Sequence, residues 1–492
     1  MPALSCAGRA TSVTPLSYDT VVIGAGLSGL TDAILLAEWG RRVLVLEQHR
    51  IPGGYLQQFE RKRTRFDVGF HWVGSTLPGR PLHRLLTHLQ VFDRLRLQPF
   101  PADHAIEFRS GPNRFALPTR FDRFVEKAVS TWPHERAAVE RFAREVEETC
   151  ALFKWFDLRK DKEYGDTRML KISRRSLAEQ TAEYVSDPWL AEAIAIQASN
   201  IGLTADRIPW PKSALVFRSN FDETCRIEGG GGALVDALVE RGRELGVEYR
   251  FQCGAEALEC EGRHVRAVRT ATGDRIEAEL FMAACHPKVA LRLLPAGAIH
   301  TAHVQRVLDL KDSPGALQVF LRLRRPVESL GTGCMVLQGG PPLGPMLVTL
   351  PEPTRLEAMA YVDQAPFAAW RDLPVMKRGP EYEQRKRQYA DRMIAKIAEI
   401  APELPDAIDD RYASTPLTDE WYTRNEHGGV FGISHDISQQ GLDRPMPRMR
   451  MRNLWFTGHS IDMPGILGVI VNSFVTCDAL RSDGWLFSST AG

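Results

Sequence analysis

Three groups of residues in this 492-residue chain offer chemistry. The first is Gly24-Ala25-Gly26-Leu27-Ser28-Gly29. Its three glycines permit a tight turn, a backbone close enough to cradle a pyrophosphate at a helix N-terminus, and close packing of helix on strand. The second is Glu47, an acid about twenty residues on, placed to accept hydrogen bonds from a ribose diol. The third is Phe66-Asp67-Val68-Gly69-Phe70-His71-Trp72-Val73-Gly74, an apolar run holding one aspartate and one histidine between glycines. His71 can serve there as a proton donor or polar anchor, or equally be a core histidine bonded to the backbone. Asp67 reads better as an acceptor for loop amides than as a base, and His427 and His435 in "EHGGVFGISHDIS" could line the same pocket. The 8 cysteines include no C-x-x-C pair and no cysteine/histidine cluster at zinc spacing, so no metal is expected and a reduced, cytoplasmic compartment fits.

Positioning these groups takes a definite order of elements. Residues 19–23 are a short β-branched run, 30–39 have helical composition, Gly40 is a helix stop, and 42–47 form a second buried strand. The glycine run therefore sits inside a complete βαβ unit, which makes a weak motif specific. Residues 75–221 are richer in arginine and aromatics. A helix from Glu135 to about Phe156 is expected there, with Val139, Phe142, Val146, Cys150 and Phe153 at spacings of three and four. The β/α pattern resumes at Ile227 with a glycine-rich turn, a helix and a strand, followed by a hairpin turning at Thr272-Gly273-Asp274. A proline-rich mixed region with a helix from about Glu381 to Ile400 follows, and "NLWFTGHSIDMPGILGVIVNSFVTCDAL" is again strand, glycine turn and helix.

Nucleotide-type segments at the start, middle and end predict an α/β fold in which a Rossmann-like domain is built from separated pieces, beside a mixed-sheet α+β substrate domain. Pro52-Gly53-Gly54, just after Glu47, lets the chain pass close to the far end of a ligand, and Thr457-Gly458 through Pro464-Gly465 makes the same demand from the other side. That is the need of a cofactor with an isoalloxazine ring beyond its phosphates, so FAD is expected rather than NAD. A net charge of +1 argues against a nucleic-acid binder driven by bulk charge. No apolar run approaches the roughly 18 residues of a membrane span, and the first residues lack the apolar core of a signal peptide.

"VVIGAGLSGL", "VLVLEQHRIPGG", "FDVGFHWVG", "IEGGGGALVDALVERGRELGV" and "NLWFTGHSIDMPGILGVIVNSF" follow one another as in the FAD-dependent phytoene desaturases, carotenoid isomerases and retinol saturases. The chain resembles that family, with gaps, over nearly its whole length. "FDVGFHWVG" and "GGVFGISHDIS" are most similar to the retinol saturase branch. The resemblance implies the flavoprotein fold shared by amine oxidases and GDP dissociation inhibitors. It places the phosphate loop on Gly24, Ala25, Gly26, Leu27, Ser28 and Gly29, the ribose acid on Glu47 with Gln48 beside it, and the second glycine pair on Gly53 and Gly54. Gly69 and Phe70 then run beside the flavin, with His71 facing the ring as the catalytic candidate. The adenine strand falls at Ala255, where relatives more often have valine. Gly458 falls near the pyrophosphate, and the helix beginning near Leu467, Gly468 and Val469 points its N-terminus at the flavin. His459 stands where many relatives have an acidic or amide residue, with Asp462 three residues on, and Ala284-Cys285-His286 replaces a frequent Asn-Ala-Asp. These departures leave FAD in place and loosen the tie to desaturation in particular.

The implied activity is hydride exchange with flavin N5 at a carbon–carbon double bond of a long apolar polyene or isoprenoid, such as a carotenoid or retinoid, by saturation, desaturation or isomerisation. There is no second G-x-G-x-x-G, so the electron donor or acceptor is left open. Flavin amine oxidases offer an alternative, for which Lys212 or Lys288 would be the lysine near N5. A prenyl or lipid carrier without flavin is another. The expected partner is an apolar small molecule. "ERKRTRF" (60–66) and "EQRKRQY" (383–389) read first as solvated faces and the helix ending in "LFKWFDLRK" as core packing, with peripheral membrane contact as the alternative for each. The expected layout is a disordered tail (1–17), FAD-binding parts at 18–80, 222–300 and 445–492, and substrate-domain parts at 81–221 and 301–444.

Overall fold

The computed structural model describes residues 17–153, 172–331, 333–340 and 343–481. Residues 1–16 of the expected tail, and 154–160 of "LFKWFDLRK", lie outside them. In chain order the strands are β1 (Ser17–Ile23), β2 (Val43–Leu46), β3 (Gln58–Arg61), β4 (Thr64–Asp67), β5 (Leu97–Pro99), β6 (Ile106–Ser110), β7 (Asn113–Leu117), β8 (Cys225–Ile227), β9 (Glu248–Arg250), β10 (Ala255–Glu261), β11 (His264–Thr270), β12 (Arg275–Ala283), β13 (Gly315–Leu323), β14 (Cys334–Leu337), β15 (Met346–Glu352), β16 (Arg355–Val362), β17 (Ile408–Ser414) and β18 (Leu454–Phe456).

The first sheet runs β10-β11-β12-β1-β2-β9, with β18 added beside the end of β12. Its centre is parallel: β18, β12, β1, β2 and β9 pair in that order. Strands of that kind are covered on both faces and should read as unbroken apolar runs, and every residue of Val43–Leu46 is buried. The Leu27–Glu38 helix is correspondingly covered on all sides, with Ser28, Thr31 and Asp32 among its buried residues. It is buried from Leu27 to Ala37 beneath the Gly230–Glu244 and Gly465–Arg481 helices. The three separated segments foreseen from sequence thus meet in one layer.

The second sheet runs β17-β13-β16-β15-β14-β6-β7 and is antiparallel except where β14 meets β6. Strand alternation sorts its two faces. Leu317, Val319 and Leu321 of β13 join a core that includes Tyr389, Met393 and Ile397 of the Pro380–Ala398 helix. Gln318 and Phe320 point the other way; the Phe320 ring lies 4.9 Å from that of Phe59 on the β3–β4 hairpin. In the Arg136–Cys150 helix, Val139, Phe142, Val146 and Cys150 are packed in the main core, which is the core-packing reading of their spacing.

Candidate active site

A cavity of ≈ 420 Å³ runs between the two sheets. One end is made by the glycine segments. Gly53 N–H donates to Ala25 O at 2.8 Å, and Gly26 bridges to Gly53, so the two glycine loops brace each other. Gly24 (φ +105°), Gly53 (φ +118°) and Gly458 (φ +98°) adopt left-handed backbone that a side chain would strain. A Cβ on Gly26 would meet no protein atom within 4 Å and would extend into the cavity. Glu47 is buried at the wall; its Oε2 accepts Ala25 N–H at 2.8 Å and its Oε1 accepts His49 N–H at 2.9 Å. Each oxygen keeps a second acceptor position for a diol. Gln48, Ala255, Gly458, His459, Leu467, Gly468 and Val469 also line the cavity, the last three from the first turn of the Gly465–Arg481 helix.

Three expected cofactor residues stand elsewhere. The backbone of Ala25 is spent on Glu47 and Gly53, and its side chain is fully buried. Gly29 serves packing: a Cβ there would lie 2.0 Å from Gly24 O. Phe70 is in the core, where its Cβ would meet one on Gly231 at 3.0 Å. It faces away from the cavity, whereas Gly69 and His71 on either side of it line the wall. Gly69 does line the cavity, but what a side chain there would strike is Tyr55 O at 2.7 Å; likewise a side chain on Gly74 would strike Ser219 O at 2.2 Å. Protein backbone, rather than the flavin alone, accounts for those two glycines.

His71 lines the cavity, and neither ring nitrogen has a hydrogen-bond partner. A core histidine tied to the backbone is therefore excluded. Burial, aided by Arg226, pushes its pKa down to about 4, so the ring is neutral at physiological pH and offers one N–H donor and one acceptor rather than an imidazolium proton. His459, also burial-shifted, to about 3, is neutral as well. Asp67 does not face the cavity; it accepts Gly231 N–H at 2.8 Å and Gln58 Nε2 at 3.0 Å.

The remaining candidates form braces around the site. His286 lines the cavity and hydrogen-bonds Asp312 at 3.1 Å, while Lys288 Nζ joins Asp312 at 3.0 Å and Glu426 at 3.1 Å. Buried Lys212, pushed down to about 8 by desolvation, contacts His435 Nδ1 at 3.1 Å and Asp462 Oδ1 at 3.3 Å. Arg444 donates to the carbonyl oxygens of Ile433, Ser434, Ser460 and Ile461 at 2.6–3.1 Å, fastening two segments at the cavity wall. Of the further candidates, His427 and His435 do not line the cavity, nor do Lys212 and Lys288. Among the described residues Glu47 is the single acid and Arg424 the single cation that do.

Between His71 and the second sheet the lining is apolar, with Val73, Leu215, Val216, Val336, Leu347 and Met359, and with Tyr361 and Phe431 whose rings lie 6.0 Å apart. Gln318 is the amide that the second sheet contributes to the lining; Asn200, Ser219 and Asn220 add polar groups from outside that sheet. Sequence reasoning passed over Gln318, although a lone amide inside the strand GALQVFLRL was the available signal.

A glycine cradle at one end, an apolar chamber at the other and a neutral histidine between them define a dinucleotide flavoprotein whose second sheet shapes the substrate space. The residues fit FAD, since a side chain at Gly26 would fill the cradle and the His71 nitrogens lack partners without a ligand. The profile of the family "Flavin containing amine oxidoreductase" matches residues 27–468, and the chain belongs to that family. Its cofactor is FAD. An all-trans-retinol 13,14-reductase from Danio rerio is 23% identical, over 96% of this chain and 87% of that one. A chloroplastic prolycopene isomerase from an Oncidium hybrid cultivar is 22% identical, over 93% and 82%. Among solved structures, an oxidoreductase from Methanosarcina mazei superposes with a TM-score of 0.65 at 17% identity, covering 94% of this chain and all of that one.

Proposed function

We propose that this protein is an FAD-dependent oxidoreductase acting on a carbon–carbon double bond of a long apolar polyene or isoprenoid. The observation that carries the reading is the apolar chamber continuous with the glycine cradle, lined by no lysine among the described residues. Relatives named for retinol reduction and prolycopene isomerisation support the substrate class. Amine oxidation is the poorer reading, because Lys212 and Lys288 are engaged in braces outside the cavity.

In this reading Glu47 and the glycine loops hold the dinucleotide, and bound FAD supplies hydride exchange at N5. The apolar walls exclude water and align the chain of the substrate. His71 contacts the flavin or substrate as a neutral hydrogen-bonding anchor; with a pKa of about 4 it is a poor reservoir for the proton that saturation requires. The test is to purify the holoprotein and mix it with all-trans-retinol, once in air and once after anaerobic reduction of its flavin. Loss of two hydrogens in air marks desaturation, gain of two after reduction marks saturation, and a product of unchanged mass in either arm marks isomerisation. Flavin bleaching by an amine instead of a polyene would overturn the reading.

Peripheral membrane contact belongs to the same reading, at a place other than the basic runs. No helix among the described residues is long and apolar enough to cross a membrane. Trp421 and Tyr422 are exposed at the end of the Pro416–Thr423 helix. Residues 371–378 are pinned beside that helix by Arg371 on Glu420 at 3.0 Å and Arg378 on Leu417 O at 3.2 Å, leaving Leu373 exposed and Met376 90% exposed. Exposed Arg371, Lys377 and Arg424 surround this apolar tip, a combination suited to a lipid headgroup layer. Co-sedimentation with phosphatidylcholine–phosphatidylserine vesicles should fall in M376E/W421E; unchanged sedimentation would move the contact elsewhere.

A further inference from the structure

The floor of the chamber is one cross-strand row. Val336, Leu347, Met359 and Gln318 are register partners on β14, β15, β16 and β13, and all of them line the cavity. With neighbouring strands about 4.8 Å apart the row spans ~14 Å. It is apolar until its last member. Gln318 is 2% exposed and its Nε2 has no hydrogen-bond partner. Ser414, its register partner on β17, is buried with Oγ unpaired as well. The same face of β13 carries Ala316 and Phe320 on either side and Arg322, paired to Asp410, at its far end, so an aliphatic residue at 318 would match its immediate neighbours and leave no donor stranded. A buried amide N–H without an acceptor destabilises a fold unless a ligand completes it.

We propose that Gln318 is a specificity-determining residue whose amide donates to an oxygen at one end of an otherwise apolar substrate. The enzyme then prefers an alcohol- or carbonyl-ended polyene over a hydrocarbon of the same shape. The inference rests on the polyene reading above. A flavin oxygen is the other acceptor this amide could meet, and the experiment separates the two.

The holoenzyme is titrated with all-trans-retinol and with axerophtene, the hydrocarbon in which a methyl group replaces the terminal hydroxymethyl, by following perturbation of the flavin absorbance band. Retinol should bind at least about tenfold more tightly. Q318L, and Q318M as a second variant closer in volume, should lower retinol to the hydrocarbon's affinity while flavin content stays at the wild-type level. Equal binding of the two polyenes to the wild type would overturn the inference and leave the polyene reading standing. So would loss of flavin in the variants, which would assign the amide to the cofactor, or an equal weakening of both polyenes, which would assign it to packing. If neither polyene perturbs the wild-type flavin, the polyene reading falls and this inference with it.

Discussion

The carboxylate of Asp67 accepts the N–H of Gly231 at 2.8 Å, joining the end of the β3–β4 hairpin to the start of a helix 164 residues away in sequence. A Cβ on neighbouring Gly230 would come within 2.2 Å of Asp67 Oδ2, so the glycine-rich turn exists to admit this carboxylate. D67A leaves the Gly231 N–H at the helix start unsatisfied in a buried setting. It should lower unfolding free energy by about 1–3 kcal/mol, read from chemical denaturation of the holoprotein. Unchanged stability would show that water replaces the carboxylate.

Two glycines of one motif should fail differently. G26V adds a side chain that meets cavity space, so the protein should fold with native circular dichroism yet purify without flavin absorbance. G29V drives a side chain into Gly24 O and should lower expression and melting temperature. A yellow G26V protein would refute the cradle.

Replacing His71 should separate binding from turnover. H71A should retain flavin and lose at least about tenfold in polyene turnover. The group also has a stability signature. Its folded pKa of about 4 lies below the ordinary histidine value of 6.5, so the unfolded chain binds more protons between those values. Stability should fall as pH drops from 6.5 to 4, and H71F should lose less over that window. Equal acid sensitivity of both proteins would remove His71 from the linkage.

Glu357 has the opposite sign. Burial, with Asp67 beside it, raises its carboxyl to about 8, above its ordinary 4.5. The folded state therefore holds the extra proton, and its contribution to stability declines as pH rises from about 4.5 to 8. E357Q should flatten that decline in thermal melts taken from pH 5 to 9. A variant with the wild-type slope would place the titration on another group.

The cofactor half was legible because its signals are local. A glycine run, a strand on either side and an acid at a set distance fall within one short segment, and their geometry follows from backbone sterics. Phe70 was misplaced because the uniformly apolar run "FDVGFHWVG" does not say which side chains turn to the ligand and which to the core; contacts with Tyr55, Ser219, Cys225 and Gly231, which no local pattern encodes, decide it. Gln318 stands out in sequence only as a lone amide in an apolar strand, and its role was not legible for a related reason. Its meaning comes from Met359 and Ser414 across the sheet, and register between distant strands is fixed by tertiary packing. Arg444 gathers four carbonyls from two segments that only the fold brings together.

The placement of β18 beside β12, with the Gly465–Arg481 helix laid over Leu27–Glu38, has a consequence for biosynthesis. Residues 17–46 leave the ribosome more than 400 residues before these covering pieces, so the buried Leu27–Glu38 helix must wait for its lid. The second sheet, complete once residue 414 has emerged, can close earlier. Nascent chains stalled before residue 454 should therefore recruit holdase chaperones to the cofactor half, and flavin loading should be a post-translational event.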